Sequence, residues 1–365
     1  MSALDPVTVD GSLREGGGQI IRASLSLAFL SPRPLTVHSI RANRPKPGLA
    51  NQHRAGIQLS AKLSNLSLIG DGLKSTQFTA TPRSLPPPSH PPTITCDAIT
   101  AGACTLIIQG ALPPLLFCAA TNPTIQILGG TDVPFAPPLA HTQQVLAPLL
   151  AKMGAAVTVD AIERTFNPDK GEVHLTASLA HPTLTPLDLQ DVGEPVSVTA
   201  TIVADAATGE AFKTELEELL KATPKLADIT PTATLVSVAA PSSKKKRRTQ
   251  QLSAQLVVTT TTGCLLSANC LSTPAATLVA SLTALLATQA CVDEHTADQL
   301  VVYACLADGT SRIKTPPTAT LTSRHLETVI HFATLMTGAK VEVSEAEDGS
   351  GCRIVTVEGI GAKRK

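Results

Sequence analysis

The sequence predicts an α/β fold in which helices cover sheets, with one large unit interrupted by a smaller α/β unit. Three observations carry this. Short β-branched runs alternate with longer apolar helical patterns and are repeatedly joined by Gly-containing loops, the order expected of layered α/β structure. Hydrophobic residues make up 43% of the 365-residue chain and aromatic residues only 2%, so a large core must be packed from aliphatic and alanine side chains. The pattern also breaks at the Pro- and Thr-rich "LAHPTLTPLDLQD", after which a separate unit runs over 183–270, leaving 1–182 and 271–365 as the main body.

The elements follow in order. "VTVDG" reads as a strand, the turn "EGGGQ" leads into a helix over 19–29, and a strand follows over 35–40. "TITCDAITAGA" leads to a short apolar helix, Cys104–Gln109, which Leu112-Pro113-Pro114 closes off because proline lacks an N–H and clashes with the preceding turn. "TIQILGGTD" precedes a helix over 139–153 and the strand "AAVTVD". In the middle unit, strands are expected at Val196–Ala204 and Ala254–Thr262 with a helix at Ala211–Ala222. Beyond it come helices over 275–288 and 297–307, the strand "SRIKT", a helix over 325–336, and strands over 340–343 and 353–357. Resemblance between these units is weak, so the sequence only suggests an internal repeat.

Charge narrows the function classes. Lys and Arg number 29 against 29 Asp and Glu, so no global field attracts a polyanion. Residues 1 to 60 nonetheless hold Arg14, Arg22, Arg33, Arg41, Arg44, Lys46 and Arg54 against Asp5, Asp10 and Glu15, a local basic concentration suited to neutralising phosphates. The scarcity of aromatics argues against a stacking surface as the main mode of nucleic-acid contact. Eight cysteines form no CxxC pair and lie mostly in apolar runs, which predicts a reduced, intracellular protein without a disulfide frame or zinc site. Neither a basic-then-apolar leader nor an apolar run of membrane-spanning length is evident, so no membrane partner is expected. The run Lys244–Arg248 reads as a solvated loop, with a nuclear localisation signal or an RNA contact as the sharper alternative. The Pro-rich 81–92 reads as a surface connection.

Two stretches carry chemistry. In "LREGGGQIIR", Gly16, Gly17 and Gly18 strip every Cβ from a turn ahead of a helix, leaving backbone N–H groups at its positive end. Such a turn cradles phosphate, although glycines serve equally where the backbone needs positive φ. Glu15 is placed to hold a metal or orient a cation, and Arg22, one turn into the helix, to reach back to the same mouth. In "SIRANRPKPGLANQHRAG", Arg41 and Arg44 end a strand while Gln52 and His53 open a helix. Two guanidiniums at a strand end suit bidentate phosphate binding, or are surface arginines that happen to be close.

Together, "DGSLREGGGQIIR" and "SIRANRPKPGLANQH" closely resemble the signature of the RNA 3′-terminal phosphate cyclase family. The resemblance continues in order through "TAGACTLIIQGALP" (100–113), "GGTDVPFAPP" (129–138), "VDEHTADQL" (292–300), "SRIKT" and "RHLETVIHF" (324–332). It implies a main body of repeated βαβαββ units with a smaller α/β domain inserted. It implies ATP-dependent conversion of an RNA 3′-phosphate end to a 2′,3′-cyclic phosphodiester, with Mg²⁺ or Mn²⁺. In the family a histidine takes AMP from ATP, AMP passes to the RNA phosphate, and the neighbouring 2′-hydroxyl displaces it. This suits the chemistry: a 3′-phosphate is a poor electrophile until its leaving group becomes AMP, and neutral imidazole is nucleophilic near pH 7.

By the resemblance, His325 in "TSRHLETVIHF" corresponds to the nucleophile, at the start of a helix whose dipole favours an adenylate phosphate. His295 is its rival, placed by the resemblance near the adenine at a position that can also be Tyr. Glu15 and Asp298 manage the metal or orient His325; Asp298 could also be merely a favourable first-turn acid. Arg22, Arg41, Arg44, Gln52 and His53 hold phosphates of ATP or the RNA end. Gln109, Pro137 and Gln299, with Gly17 and Gly18, belong to the nucleotide pocket. The remaining histidines, His331 included, read as structural. The chain departs from the family at "FNPDKGEVHL" (166–175), where relatives have a glycine run and this one keeps Gly171, and at "NCLSTPAATLVA", which lacks their Gly-rich character. Two other readings stand beside this one. A non-catalytic cyclase-like protein of ribosome biogenesis would have lost the histidine and the Glu-Gly-Gly-Gly-Gln stretch, and an enolpyruvyl transferase shares the βαβαββ units but uses no covalent histidine.

Overall fold

The computed structural model describes residues 5–83, 90–119, 121–238, 251–318 and 324–364. Lys244–Arg248, and 84–89 of the Pro-rich connection, lie outside them. Among the described residues the strands form four four-stranded sheets, and three of these repeat one topology.

The first unit runs β1 (Val7–Asp10), α1 (Gly18–Ser26), β2 (Leu35–His38), α2 (Asn51–Leu63), β3 (Leu66–Ile69) and β4 (Phe78–Pro82). Its sheet order is β1-β2-β4-β3, with β1 and β2 parallel and the other pairs antiparallel. The second unit repeats this with β5 (Thr93–Asp97), α3 (Cys104–Phe117), β6 (Thr124–Gly129), a helix in three parts, β7 (Ala155–Glu163) and β8 (Gly171–Leu179), ordered β5-β6-β8-β7. The three helical parts are α4 (Leu139–His141), a π turn at Thr142–Leu146 and α5 (Ala147–Lys152). The third unit begins with β9 (Asp188–Leu189) and is then interrupted. The interruption carries β10 (Pro195–Ala204), α6 (Ala206–Lys221), β11 (Thr232–Ser237), β12 (Leu252–Thr260), β13 (Leu265–Leu271) and α7 (Ala275–Thr288), in a sheet ordered β11-β10-β12-β13. The third unit then resumes with α8 (Glu294–Leu306), β14 (Thr310–Thr315), α9 (His325–Thr337), β15 (Lys340–Glu345) and β16 (Arg353–Glu358). Its order, β9-β14-β16-β15, is that of the other two, so the expected mixed α/β architecture of βαβαββ units is the one observed.

The interruption has its own core, built around Ile202, Leu216, Leu256, Leu266 and Leu282. Its extent differs from 183–270. Leu184, Leu187 and Leu189 are buried in the main core and β9 pairs with β14, so the Pro/Thr-rich stretch is wired into the third unit. At the other end, α7 puts Leu278 and Leu282 into the second core.

Local chemistry explains the remaining differences. The helix expected to stop at Gln109 runs on through Pro113 and Pro114 to Phe117. Pro114 cannot donate to the Gly110 carbonyl one turn earlier, but the Ser60 hydroxyl donates to it instead at 2.8 Å, so that carbonyl is not orphaned. Ser60→Ala should therefore destabilise the protein by about 1–3 kcal/mol, the cost of leaving that carbonyl unpaired. A denaturation midpoint unchanged from wild type would refute this account. Helix α6 starts five residues before the expected Ala211 because Asp205 accepts from the Thr208 N–H at 3.1 Å and caps it. Helix α8 starts earlier than 297 for the same reason, with Asp293 as its cap. No helix among the described residues is long and apolar enough to cross a membrane.

Candidate active site

The residues assigned to catalysis, the nucleotide or phosphate in the sequence line one open cleft of about 820 Å³, which Gly16 adjoins in sequence without lining it. Glu15, Gly17, Gly18 and Arg22 come from the glycine turn and α1, and Arg41 and Arg44 from the turn after β2. Gln52 and His53 come from the first turn of α2, Gln109 from α3 and Pro137 from the loop after β6. Helix α8 supplies His295, Asp298 and Gln299, and His325 is the first residue of α9. The site is thus assembled from all three βαβαββ units, on helix starts and the loops that follow strands.

The three glycines serve the turn in two ways. Gly16 sits at φ 61°, in the left-handed region. A Cβ on Gly17 would strike the Glu15 carboxylate, which folds back over it. A Cβ on Gly18 would lie 2.7 Å from His53 Nε2 and 3.0 Å from Arg22 Nη1. The turn therefore lets one carboxylate, one imidazole and one guanidinium crowd against the start of α1.

Glu15 is the hub of the charged groups. Its Oε1 accepts from Arg44 Nη2 at 2.5 Å and lies 3.5 Å from His325 Nε2, while Oε2 is buried without a partner. Burial pushes its pKa up, but His325, Arg44 and Arg22 outweigh that and hold it below the usual glutamate value. On the far side of the imidazole, Asp298 Oδ2 lies 3.7 Å from His325 Nδ1, so the ring stands between two carboxylates. The interaction with Glu15 leads, burial opposes it, and Asp298 adds to it; His325 is left with a raised pKa.

The other ionisable groups are set by burial. Arg22, held against the Gln19 side chain, is brought down to about 10 by burial despite Asp298 and Glu15. Burial, then Arg22 and Arg41, drive His53 down to about 3, so it is neutral. Its Nδ1 accepts from the Ala50 N–H at 3.2 Å, leaving Nε2 as the protonated nitrogen that faces Gly18 and the cleft. His295 is likewise lowered, by burial above all, against the pull of Asp293. Arg41 is anchored by donation to the Gly48 carbonyl at 2.8 Å, and Gln52 accepts from the Ala103 N–H at 3.1 Å.

Asp298 is not a first-turn acid, because α8 begins at Glu294 and places it in the second turn, buried. Burial raises its pKa to about 7 against the favourable charges of His325 and Arg22. Since a carboxylate ionises near 3.8 when unfolded, the native protein holds the extra proton between that pH and 7, and stability falls as pH rises through this window. Asp298→Asn should remove the fall: unchanged near pH 4, and more stable than wild type by about 2–4 kcal/mol at pH 8. Melting temperatures of the two proteins that move in parallel from pH 5 to 8 would sink this assignment.

Helix α8 is held from beneath by a buried polar cluster. Asp293 accepts from the Thr296 N–H at 2.8 Å, from the Thr296 hydroxyl at 2.9 Å and from Ser267 of β13 at 2.6 Å. The fully buried His141 of α4 reaches Thr296 Oγ1 at 3.1 Å. His141 is thus structural, as expected, but it serves the helix that carries Asp298.

Six further lining residues were not singled out from sequence: Gln19, Leu106, Phe135, Ala136, Asn269 and Arg324. Gln19, Leu106, Phe135, Ala136 and Arg324 stand inside the quoted motifs, so position within a motif was the missed signal. Asn269 comes from β13, the interrupting unit's contribution to the lining described, and only its tertiary placement reveals it. The divergent 166–175 stretch does not line this cleft; Phe166, Asp169 and Lys170 border a separate groove of about 860 Å³.

Comparison with known proteins places the chain in a family. The family model described as RNA 3′-terminal phosphate cyclase matches residues 13–343. A probable RNA 3′-terminal phosphate cyclase of Dictyostelium discoideum is 32% identical over 96% of this chain and 82% of its own. The RNA 3′-terminal phosphate cyclase of Drosophila melanogaster is 31% identical over 100% of this chain and 99% of its own. One of Caldivirga maquilingensis is 36% identical over a shorter match, 52% of each chain. With the ordered motifs, the βαβαββ units and a match running through nearly all of it, the chain belongs to the RNA 3′-terminal phosphate cyclase family, and is an enzyme of that ATP-dependent class.

Proposed function

We propose that this protein converts an RNA 3′-phosphate to a 2′,3′-cyclic phosphodiester through a covalent His325–AMP intermediate, consuming ATP and releasing pyrophosphate and AMP. The supporting observation is the placement of His325, at the start of α9 between Glu15 and Asp298, in a cleft that also presents Arg22, Arg41 and Arg44. A carboxylate that accepts the N–H of one ring nitrogen leaves the lone pair of the other free to attack the α-phosphorus of ATP. Pyrophosphate departs from that phosphorus. An oxygen of the RNA 3′-phosphate then attacks the same phosphorus and breaks the P–N bond, which restores the imidazole. Finally the 2′-hydroxyl attacks the 3′-phosphorus and expels AMP, losing its proton as the ring closes.

The other residues bind and orient. Gly17 and Gly18 offer backbone N–H groups to the phosphates, with the arginines and the His53 Nε2–H as charged and neutral donors. Gln52 fixes the end of α3 beside them. Pro137, Gln109, His295 and Gln299 form the nucleotide pocket, with His295 as a neutral ring and not the nucleophile. The unpartnered, buried Glu15 Oε2 fits a hard cation bound by one carboxylate plus substrate phosphates, and no cluster of three metal-ligating side chains occurs among the described residues. Such a cation, Mg²⁺ or Mn²⁺, would neutralise triphosphate charge. Action inside the cell, with Lys244–Arg248 as a nuclear signal, is part of the same proposal.

The test is to incubate a 3′-phosphorylated RNA with the protein, ATP and Mg²⁺ or Mn²⁺, then treat it with a phosphomonoesterase. Protection of the phosphate that depends on ATP is expected, since a cyclic diester is not a monoester. Full sensitivity with both metals would favour a non-catalytic role in RNA processing.

A further inference from the structure

Phe135 sets the cleft apart from its otherwise polar lining. Among the described lining residues it is the only aromatic ring besides the histidines, and it is fully solvent-exposed at 102%. Its backbone is left-handed at φ 64°, which a bulky residue adopts only where its surroundings force it. Those surroundings are rigid. Pro134, Pro137 and Pro138 fix their own φ angles around it. The loop is pinned where Cys104 N donates to the Gly130 carbonyl at 2.9 Å and Thr131 Oγ1 to the Thr165 carbonyl at 3.0 Å. It is pinned again by the buried Asp132–Arg164 pair at 3.4 Å and by Thr105 Oγ1 donating to the Pro137 carbonyl at 2.9 Å. The ring is therefore held out into water by a loop that has little freedom to withdraw it.

A flat apolar face in the same cleft as Arg41, Arg44 and Arg324 has the chemistry that takes a nucleobase: stacking on the ring, with cations for the backbone. Two nucleobases visit this cleft under the proposed function, the adenine of ATP and the terminal base of the RNA. The adenine already has Pro137, His295 and Gln299. We propose that Phe135 is the stacking platform for the 3′-terminal nucleobase of the RNA, holding the end so that its 3′-phosphate lies among the arginines. This rests on the cyclase reading above. Because every base has a π-face, the platform discriminates a base from no base, and hardly one base from another. Phosphate binding by the arginines thus gains a requirement for a terminal base.

The test uses the full chain as wild type, Phe135→Ala and Phe135→Trp. Each is titrated, without ATP, with two 3′-phosphorylated oligoribonucleotides that differ only in whether the last nucleotide is abasic. Wild type should bind the base-bearing RNA about tenfold more tightly, equivalent to about 1.4 kcal/mol. Phe135→Ala should lose that preference and Phe135→Trp should keep it. The loss should fall on RNA binding and cyclisation, and not on formation of the AMP adduct from ATP alone. Equal wild-type binding of both RNAs overturns the proposal, as does a preference that survives in Phe135→Ala. An adduct-forming step slowed as much as RNA binding also overturns it, by assigning the ring to adenine. The two readings fail separately: equal cyclisation of both RNAs refutes the platform alone, whereas base-selective binding with no cyclic product supports the platform and refutes the cyclase.

Discussion

If His325 is the proposed nucleophile, His325→Ala should abolish the AMP adduct expected of the wild type on incubation with ATP and Mg²⁺ or Mn²⁺, and with it RNA cyclisation, by a factor of about 10³ or more. Intact-protein mass spectrometry reads the adduct directly, and its loss in acid identifies a phosphoramidate. The effect is large because the nucleophile is not one contributor among several: without it the covalent step has no acceptor. His295→Ala is the control that separates the two histidines. It should retain the adduct and weaken ATP binding, because burial holds the His295 imidazole below its usual pKa and the proposal assigns it to the nucleotide pocket. An adduct that persists in His325→Ala and disappears in His295→Ala would reverse the assignment. Folding is a minor concern, since the His325 side chain is 34% exposed and fills no core.

Much of the site was legible because the chemistry-bearing residues sit in contiguous motifs at helix starts, where local sequence sets local structure. "EGGGQIIR" announces a helix N-terminus, and "NQH" and "RHLE" open α2 and α9 where the pattern says they should. What could not be read was what depends on distant partners. The continuation of α3 through two prolines needs Ser60, fifty residues away in sequence. The first strand of the third unit is two residues long and is defined by its pairing with β14, far along the chain, so no alternation could signal it. That strand hid the repeat. Three copies of one topology share a sheet order but little sequence, because aliphatic and alanine side chains exchange easily in a core with so few aromatics. Asn269 enters the cleft only through the docking of the interrupting unit. The burial that raises Asp298 is likewise a tertiary fact, and it turns an unremarkable helix acid into a proton-binding group near pH 7.

Glu15→Gln separates two roles that the structure gives to one carboxylate. Glutamine keeps the shape over Gly17 but removes the charge that pairs with Arg44 and faces His325. Losing it should slow adduct formation by about 10²-fold, the scale of removing one preorganised electrostatic partner at a reacting phosphate. The pH profile carries the sharper prediction. In the proposed mechanism His325 attacks only when a ring nitrogen is unprotonated, so the wild-type rate should fall on the acid side as the imidazole takes its proton. Interaction with Glu15 raises the His325 pKa, placing that limb above the ordinary histidine value of 6.5. Without the carboxylate the imidazolium loses its main support while burial and Arg22 continue to oppose it, so the acid limb of Glu15→Gln should move to lower pH. Stability should follow the same sign. The paired imidazolium stabilises the native state fully below 6.5, and this contribution disappears as pH rises through its raised native pKa. The variant therefore loses stability most in mildly acidic solution and least in alkaline. A slower Glu15→Gln whose acid limb stays with the wild type would mean that Glu15 serves the phosphates and Arg44 only, and that Asp298 sets the protonation of the nucleophile.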